Sequence, residues 1–335
     1  MNPFIPTSQA LGQDFFNRDE IVENILNKIC GEKVQGDVWI SGERKMGKTS
    51  LLLHLWAKYT QTPKSIVTYQ SDEERKVRFV YVNVIGCSDE EEFYRKMYEG
   101  LESFDLKSPK KSKYADSFLS DITCIYAEKR TYIVFLIDEF DSYVGNSAQK
   151  NIELISIALN RFSGVLQRKL IDNKYHKPFS CVFTANHSVG ELKDKTQIAA
   201  LGSFLELSSD SLVGFTEKQV NELAQQYLKD NFIKFTDEEI KTCWKATKGY
   251  PLFVQQFFWT LYNHKQYLLN GKNLDNVIEK YTKELVAIIE SWAGESMPKR
   301  TKNKLVEWIK EMKVGDGITK MIFTLGEEYF KTFIG

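Results

Sequence analysis

Asp37-Val-Trp-Ile-Ser-Gly-Glu-Arg-Lys-Met-Gly-Lys-Thr-Ser-Leu-Leu-Leu-His-Leu-Trp56 reads as three pieces: a short apolar strand over Asp37–Ser41, a glycine-bounded loop, and an apolar helix from Leu51 to Trp56. The loop, Gly42–Thr49, satisfies GxxxxGK followed by Ser or Thr in full. Its glycines let the backbone N–H groups of Glu43, Arg44, Lys45, Met46 and Gly47 curl inward around phosphate oxygens. The helix that follows, entered through Thr49 and Ser50, offers its N-terminus to the same anion. Lys48 can reach the β- and γ-phosphates as a point charge, and the Thr49 hydroxyl can hold Mg²⁺. Strand, glycine loop and helix in that order predict a P-loop, with a nucleoside triphosphate and Mg²⁺ as its ligands.

A second motif completes the first. Tyr132-Ile-Val-Phe-Leu-Ile137 is a continuous apolar run, the pattern of a central strand covered on both faces, and it ends in Asp138-Glu139. At the C-terminal edge of a parallel sheet such a strand delivers both carboxylates to the ligand crevice. Asp138 would hold Mg²⁺ through its water shell, and Glu139 would orient or deprotonate the attacking water. Asp141 either assists the metal or caps the next segment. Farther along, Phe179-Ser-Cys-Val-Phe-Thr184 is another strand, and it places Asn186 at its tip. There Asn186 serves as a γ-phosphate or water sensor, or simply forms a turn. Thr184 is a weaker candidate, since a β-branched residue in a strand needs no catalytic reason. Arg161 and Arg168, on a helix expected over about 150–170, are candidates for an arginine finger.

The remaining pattern supplies the architecture. Arg78–Val84 is a further strand, a helix follows the capping-box pattern Ser88-Asp-Glu-Glu91, and Phe118, Ile122 and Tyr126 mark another; Ser203–Leu207 is expected to be the last strand. Strands alternating with helices predict an α/β class with a mostly parallel five-stranded sheet over residues 1–209. After about residue 210 the strand signals stop. Thr216-Glu-Lys-Gln219 and Thr236-Asp-Glu-Glu239 are capping boxes, and Pro251 suits the first turn of a third helix. Residues 210–270 therefore form a helical lid, and 271–335 a further small helical domain. Gly249-Tyr-Pro251 is either helix punctuation or a rigid turn that presses on bound nucleotide.

Composition narrows the setting. The 335 residues carry 45 basic and 45 acidic side chains, so no global field draws the protein to nucleic acid or membrane. Apolar residues at 42%, with 22 Phe and 16 Tyr, suffice for a packed core. The five cysteines form no CxxC pair, which argues against a zinc site or a disulfide framework. The opening MNPFIPTSQALGQDFF lacks signal-peptide character, and no stretch approaches the roughly 20 apolar residues that span a bilayer. A cytoplasmic protein without a membrane partner is expected.

Phe16-Asn-Arg-Asp-Glu-Ile21, Gly42–Thr49, Ile137-Asp-Glu-Phe-Asp141, Asn186 and Gly249-Tyr-Pro251 occur in the order of STAND-type ATPases, and the chain resembles that family over roughly residues 10–265. STAND ATPases are related to AAA+ proteins and to archaeal and origin-recognition ATPases. The resemblance implies that Phe16, Asn17 and Arg18 frame an adenine, so that the nucleotide is ATP or ADP. It implies further that Tyr250 and Pro251 contact it from the lid, and that nucleotide exchange drives a closed-to-open change. A winged helix over 271–335 is also implied; Leu305, Trp308, Ile309 and Met312 share a helix face there. Two functions fit. One is a slow ATPase switch that forms homo-oligomers or engages a protein effector. The other is a DNA-associated ATPase, favoured by Pro298-Lys-Arg-Thr-Lys-Asn-Lys304 and by the patch Lys107–Lys113. Overall neutrality weighs against an extensive DNA footprint.

Overall fold

The computed structural model of the chain describes residues 3–4, 15–16, 18–30, 36–43, 45–61, 65–67, 74–102, 114–167, 178–229, 231–247 and 249–269. The expected winged helix, both basic patches, Asn17, Arg44 and Arg168 lie outside the described residues. The chain divides into two compact units, one within Gln9–Val213 and the other within Met1–Ser8 together with Gly214–Gly335.

The first unit is a sheet with helices. It runs α1 (Asp19–Ile29), β1 (Val38–Ser41), α2 (Lys48–Gln61), β2 (Ser65–Val67), β3 (Glu74–Asn83), α3 (Glu90–Glu102), α4 (Tyr114–Glu128) and β4 (Thr131–Asp138). It continues with α5 (Phe140–Lys150), α6 (Ile152–Gln167), β5 (Phe179–Ala185), α7 (Val189–Thr196), a 3₁₀ segment at Ala199–Phe204 and β6 (Ser208–Ser211). The strand order is β2-β3-β4-β5-β1-β6. β3, β4, β5, β1 and β6 are mutually parallel, as the alternation of strand and helix predicts. β2 adds a short antiparallel edge strand against β3.

Burial explains the central strands. Every residue of β5, and all of β4 after Thr131, is buried, because helices cover both faces. The core on one side is a lattice of rings. Phe140 lies 4.8 Å from Phe183, and Phe93 stacks on Tyr143 at 4.8 Å and meets Phe162 edge-on at 5.1 Å.

Local expectations are corrected in two places. Ser203–Leu207 is not the last strand. Leu201 and Phe204 are needed in the core and sit on the 3₁₀ segment, while the polar Ser208–Ser211 pairs with β1. The helix expected over about 150–170 forms as Ile152–Gln167, and Asn151 before it accepts at Oδ1 from the N–H groups of Glu153 and Leu154. The box before α3 is shifted by one: Asp89 Oδ1 accepts from the Glu92 N–H, and Glu92 Oε2 accepts from the Ser88 N–H.

The second unit is helical: α8 (Glu217–Leu228), α9 (Asp237–Thr247) and α10 (Pro251–Leu269). Both expected capping boxes form, Thr216 with Gln219 and Thr236 with Glu239. Gly249 turns the chain into α10 at φ +76°. A Cβ there would lie 1.9 Å from the Phe215 carbonyl oxygen, so only glycine fits. Phe4 is fully buried in this unit, 5.1 Å from Tyr227, 5.3 Å from Phe258 and 5.8 Å from Phe235.

Candidate nucleotide site

Strand register brings the motifs together. Ser41 is paired with Ala185, Ile137 with Phe183 and Asn83 with Asp138, so β1, β5, β4 and β3 end at one edge of the sheet. β5 lies between β4 and β1 although it follows both in sequence. The crevice at the strand ends, where the order reverses, is where open α/β sheets bind ligands.

The glycine loop leaves β1 at Gly42, where a Cβ would press within 3.1 Å of Leu212. Lys45 and Gly47 adopt positive φ, 67° and 92°, and curl the loop over the start of α2. A Cβ on Gly47 would meet nothing within 4 Å, so the space above this helix N-terminus is open. Lys48 is 95% buried, with 5% of its surface exposed. Its ammonium donates to the carbonyl oxygens of Gly42 (2.5 Å) and Glu43 (2.9 Å) and to Asn186 Oδ1 (3.0 Å). A buried ammonium beside the glycine loop is placed to meet an anionic oxygen.

Asp138, at the end of β4, is almost completely buried. Its Oδ2 accepts from the hydroxyls of Thr49 (2.8 Å) and Tyr81 (2.9 Å), and its Oδ1 accepts from Thr184 Oγ1 (2.5 Å). Neither Tyr81 nor Thr184 stands in the glycine-loop or acid motif; strand adjacency brings them there. The Tyr81 phenol is pushed well up by burial, with the Asp138 charge adding to the effect, so it stays a neutral donor. Apposed Thr49 and Asp138 suit Mg²⁺, which takes one or two carboxylates and keeps several waters. Among the described residues no cluster of three or more His, Cys, Asp or Glu side chains could hold a metal.

Glu139 sits in the left-handed region, φ 61° and ψ 41°, immediately before α5. A non-glycine residue there stores strain, a feature concentrated at functional sites. Burial raises its carboxyl pKa, and the neighbouring Asp138 and Asp141 raise it further against the pull of Lys48. Asp141 lies in the first turn of α5 and is buried. Its Oδ2 accepts from the Asn186 N–H (3.0 Å) and Nδ2 (2.9 Å) and lies 3.4 Å from His187 Nδ1. Burial pushes the Asp141 carboxyl up, but the nearby His187 ring and the hydrogen bonds from Asn186 outweigh it and hold it below the usual range.

The other anticipated residues are placed as follows. Met46, within the loop, is buried, Ser50 lies in the first turn of α2, and Phe16 is half-buried. Phe15, next to it, stacks on His54 of α2 at 4.2 Å, and Arg18 donates to the Val213 carbonyl at 2.8 Å. Arg161 pairs with Glu90 at 3.0 Å. Tyr250 and Pro251 belong to the helical unit, where buried Tyr250 precedes α10. No described helix is long and apolar enough to cross a membrane.

No protein-family model and no curated protein matches the chain. Solved structures do. A Walker-type ATPase of Pyrococcus abyssi superposes with a TM-score of 0.59 at 15% identity, covering 98% of this chain and 87% of that one. Cdc6p from Pyrobaculum aerophilum gives 0.53 at 15% identity over 98% and 84%. The Aeropyrum pernix ORC1 protein, solved in complex with DNA, gives 0.54 at 12% identity over 96% and 79%. The fold is that of the Orc/Cdc6 P-loop ATPases. These likenesses show the fold, and the STAND resemblance rests on sequence motifs alone.

Proposed function

We propose that this protein binds Mg²⁺·ATP at the β1–α2 loop and hydrolyses it. The observation that carries the reading is the convergence, from the ends of β1, β4 and β5, of Lys48, Thr49, Asp138, Glu139 and Asn186 on one open helix N-terminus. Loop N–H groups and Lys48 bind the β- and γ-phosphates. Thr49 and Asp138 would hold Mg²⁺, which supplies charge neutralisation on the phosphates when bound. Tyr81 and Thr184 fix the Asp138 carboxylate in the required orientation. Glu139, poised above an ordinary glutamate, takes the proton of the attacking water, and Asn186 orients that water or a phosphate oxygen. The test is phosphate release with and without Mg²⁺, alongside binding of a fluorescent ATP analogue. Undiminished binding and hydrolysis in Lys48→Ala would overturn the assignment.

As to purpose, the fold neighbours favour a DNA-associated ATPase, since the Aeropyrum pernix protein and a Drosophila origin-recognition complex were solved on DNA. The cluster Pro298–Lys304 supplies this chain's own basic residues for phosphate contacts. In this reading nucleotide state governs grip on duplex. Binding of a duplex probe, titrated with salt in ATP and in ADP, should weaken steeply as salt rises and differ between nucleotides. The slow switch acting on a second copy or a protein effector is the competing reading, supported by the order of STAND-like motifs. Light scattering without nucleotide, with ADP and with a non-hydrolysable ATP analogue separates them: a nucleotide-dependent change in mass without DNA binding favours the switch.

A further inference from the structure

We infer that Asp141 is a positioning residue that sets the orientation of the Asn186 amide, with His187 as its support; this rests on the hydrolytic reading above. An asparagine amide has two ends that are hard to tell apart by shape, and only its partners decide which end faces the site. Here both partners are unambiguous. Asp141 carries only acceptors when ionised, and its Oδ2 takes Asn186 Nδ2–H at 2.9 Å and the Asn186 backbone N–H at 3.0 Å. Lys48 carries only donors, and its ammonium gives a hydrogen to Asn186 Oδ1 at 3.0 Å. The amide therefore has one permitted orientation, with its oxygen toward Lys48 and a second Nδ2 hydrogen left for the phosphate site.

His187 extends the chain of contacts. The Lys195 ammonium, on α7, can only donate, so its contact with His187 Nε2 at 2.5 Å makes that nitrogen the acceptor. The ring proton is then on Nδ1, which faces Asp141 Oδ2 at 3.4 Å. The His187 backbone is fixed separately, its carbonyl accepting from Trp39 Nε1 at 3.0 Å. Asp141 Oδ1, by contrast, is buried without a hydrogen-bond partner, a cost that a mere helix cap would not require. A negative charge is thus kept inside the fold for its second oxygen, the one on Asn186.

The inference is tested by a double-mutant cycle on steady-state ATP hydrolysis, with thermal melting run on every variant. Asp141→Leu keeps the branched heavy-atom skeleton and removes the acceptor. It should lower kcat on the order of tenfold, leave KM for ATP within about threefold, and have no further effect in an Asn186→Ala background. Asp141→Asn retains a carbonyl oxygen for both Asn186 donors and should recover most of the lost kcat. Multiplying losses in the double variant, a change confined to KM, or an Asp141→Asn no better than Asp141→Leu would each overturn the inference. Should Asp141→Leu fail to fold, Asp141→Asn in both backgrounds carries the test: a loss that persists without Asn186 refutes it. Lys48→Ala reports on the underlying reading separately. If it abolishes hydrolysis and Asn186→Ala slows it, but Asp141→Leu does not, the inference alone falls.

Discussion

The two units bury polar side chains for different ends. In the unit within Gln9–Val213, Lys48, Asp138, Asp141 and Thr184 are buried, and their partners come from other elements: the loop after β1, the ends of β3 and β5, and the first turn of α2. In the helical unit the buried Thr247 and Thr260 hydroxyls donate to carbonyls four residues back in their own helices, and the core is made of rings around Phe4. Local satisfaction of a hydroxyl is helix maintenance. Convergence of charge from several elements into a buried edge is costly unless a ligand or reaction uses it, and it distinguishes a site from a scaffold.

The largest expected effect breaks the first region alone. Lys48→Ala should weaken ATP binding roughly 100-fold or more, the scale of removing one partner from a buried charge contact, while the helical unit melts unchanged. Glu139→Gln should lower hydrolysis on the order of 100-fold and retain ATP binding, because a general base is lost but no phosphate contact is. In the wild type the acid limb of the hydrolysis rate should fall above the ordinary glutamate range, since protonation of a raised carboxyl disables the base. The same shift has a stability sign. A carboxyl whose pKa is raised on folding is stabilising only while protonated, so Glu139→Gln should raise Tm at neutral pH. That gain should vanish below the unfolded glutamate pKa.

Phe4→Ala breaks the second region. It should cost about 3–5 kcal/mol, the range for emptying a buried phenylalanine site, read by chemical denaturation of the helical unit. The residues of the phosphate edge should keep their arrangement. Thr216→Ala should cost only about 1 kcal/mol through loss of the cap on α8. If the Thr216 change matched Phe4→Ala, the helical unit would owe its stability to helix ends rather than ring packing.

What the sequence discloses follows the same division. The glycine loop, the acid strand and the capping boxes are contiguous patterns, and each folds into the element its pattern specifies. β6 was hidden because Ser-Ser-Asp-Ser is an edge strand with no apolar signal, recognisable only from its pairing with β1. The roles of Tyr81 and Thr184 were hidden for a related reason. Each is an ordinary strand residue until the order β3-β4-β5 sets both beside Asp138. Asp141 had an ambiguous role in the sequence, metal or cap, and its actual partners Asn186 and His187 lie far away along the chain.

Phe4 has a consequence for the order in which the protein is made. It is synthesised before the whole of residues 15–213, yet the rings it packs on, Tyr227, Phe235 and Phe258, are synthesised after them. During translation the partners of this apolar ring are not yet made while the residues of the sheet emerge. The unit whose first residue emerges earliest is therefore the last that can be completed, and its folding cannot be finished by its own contiguous segment alone.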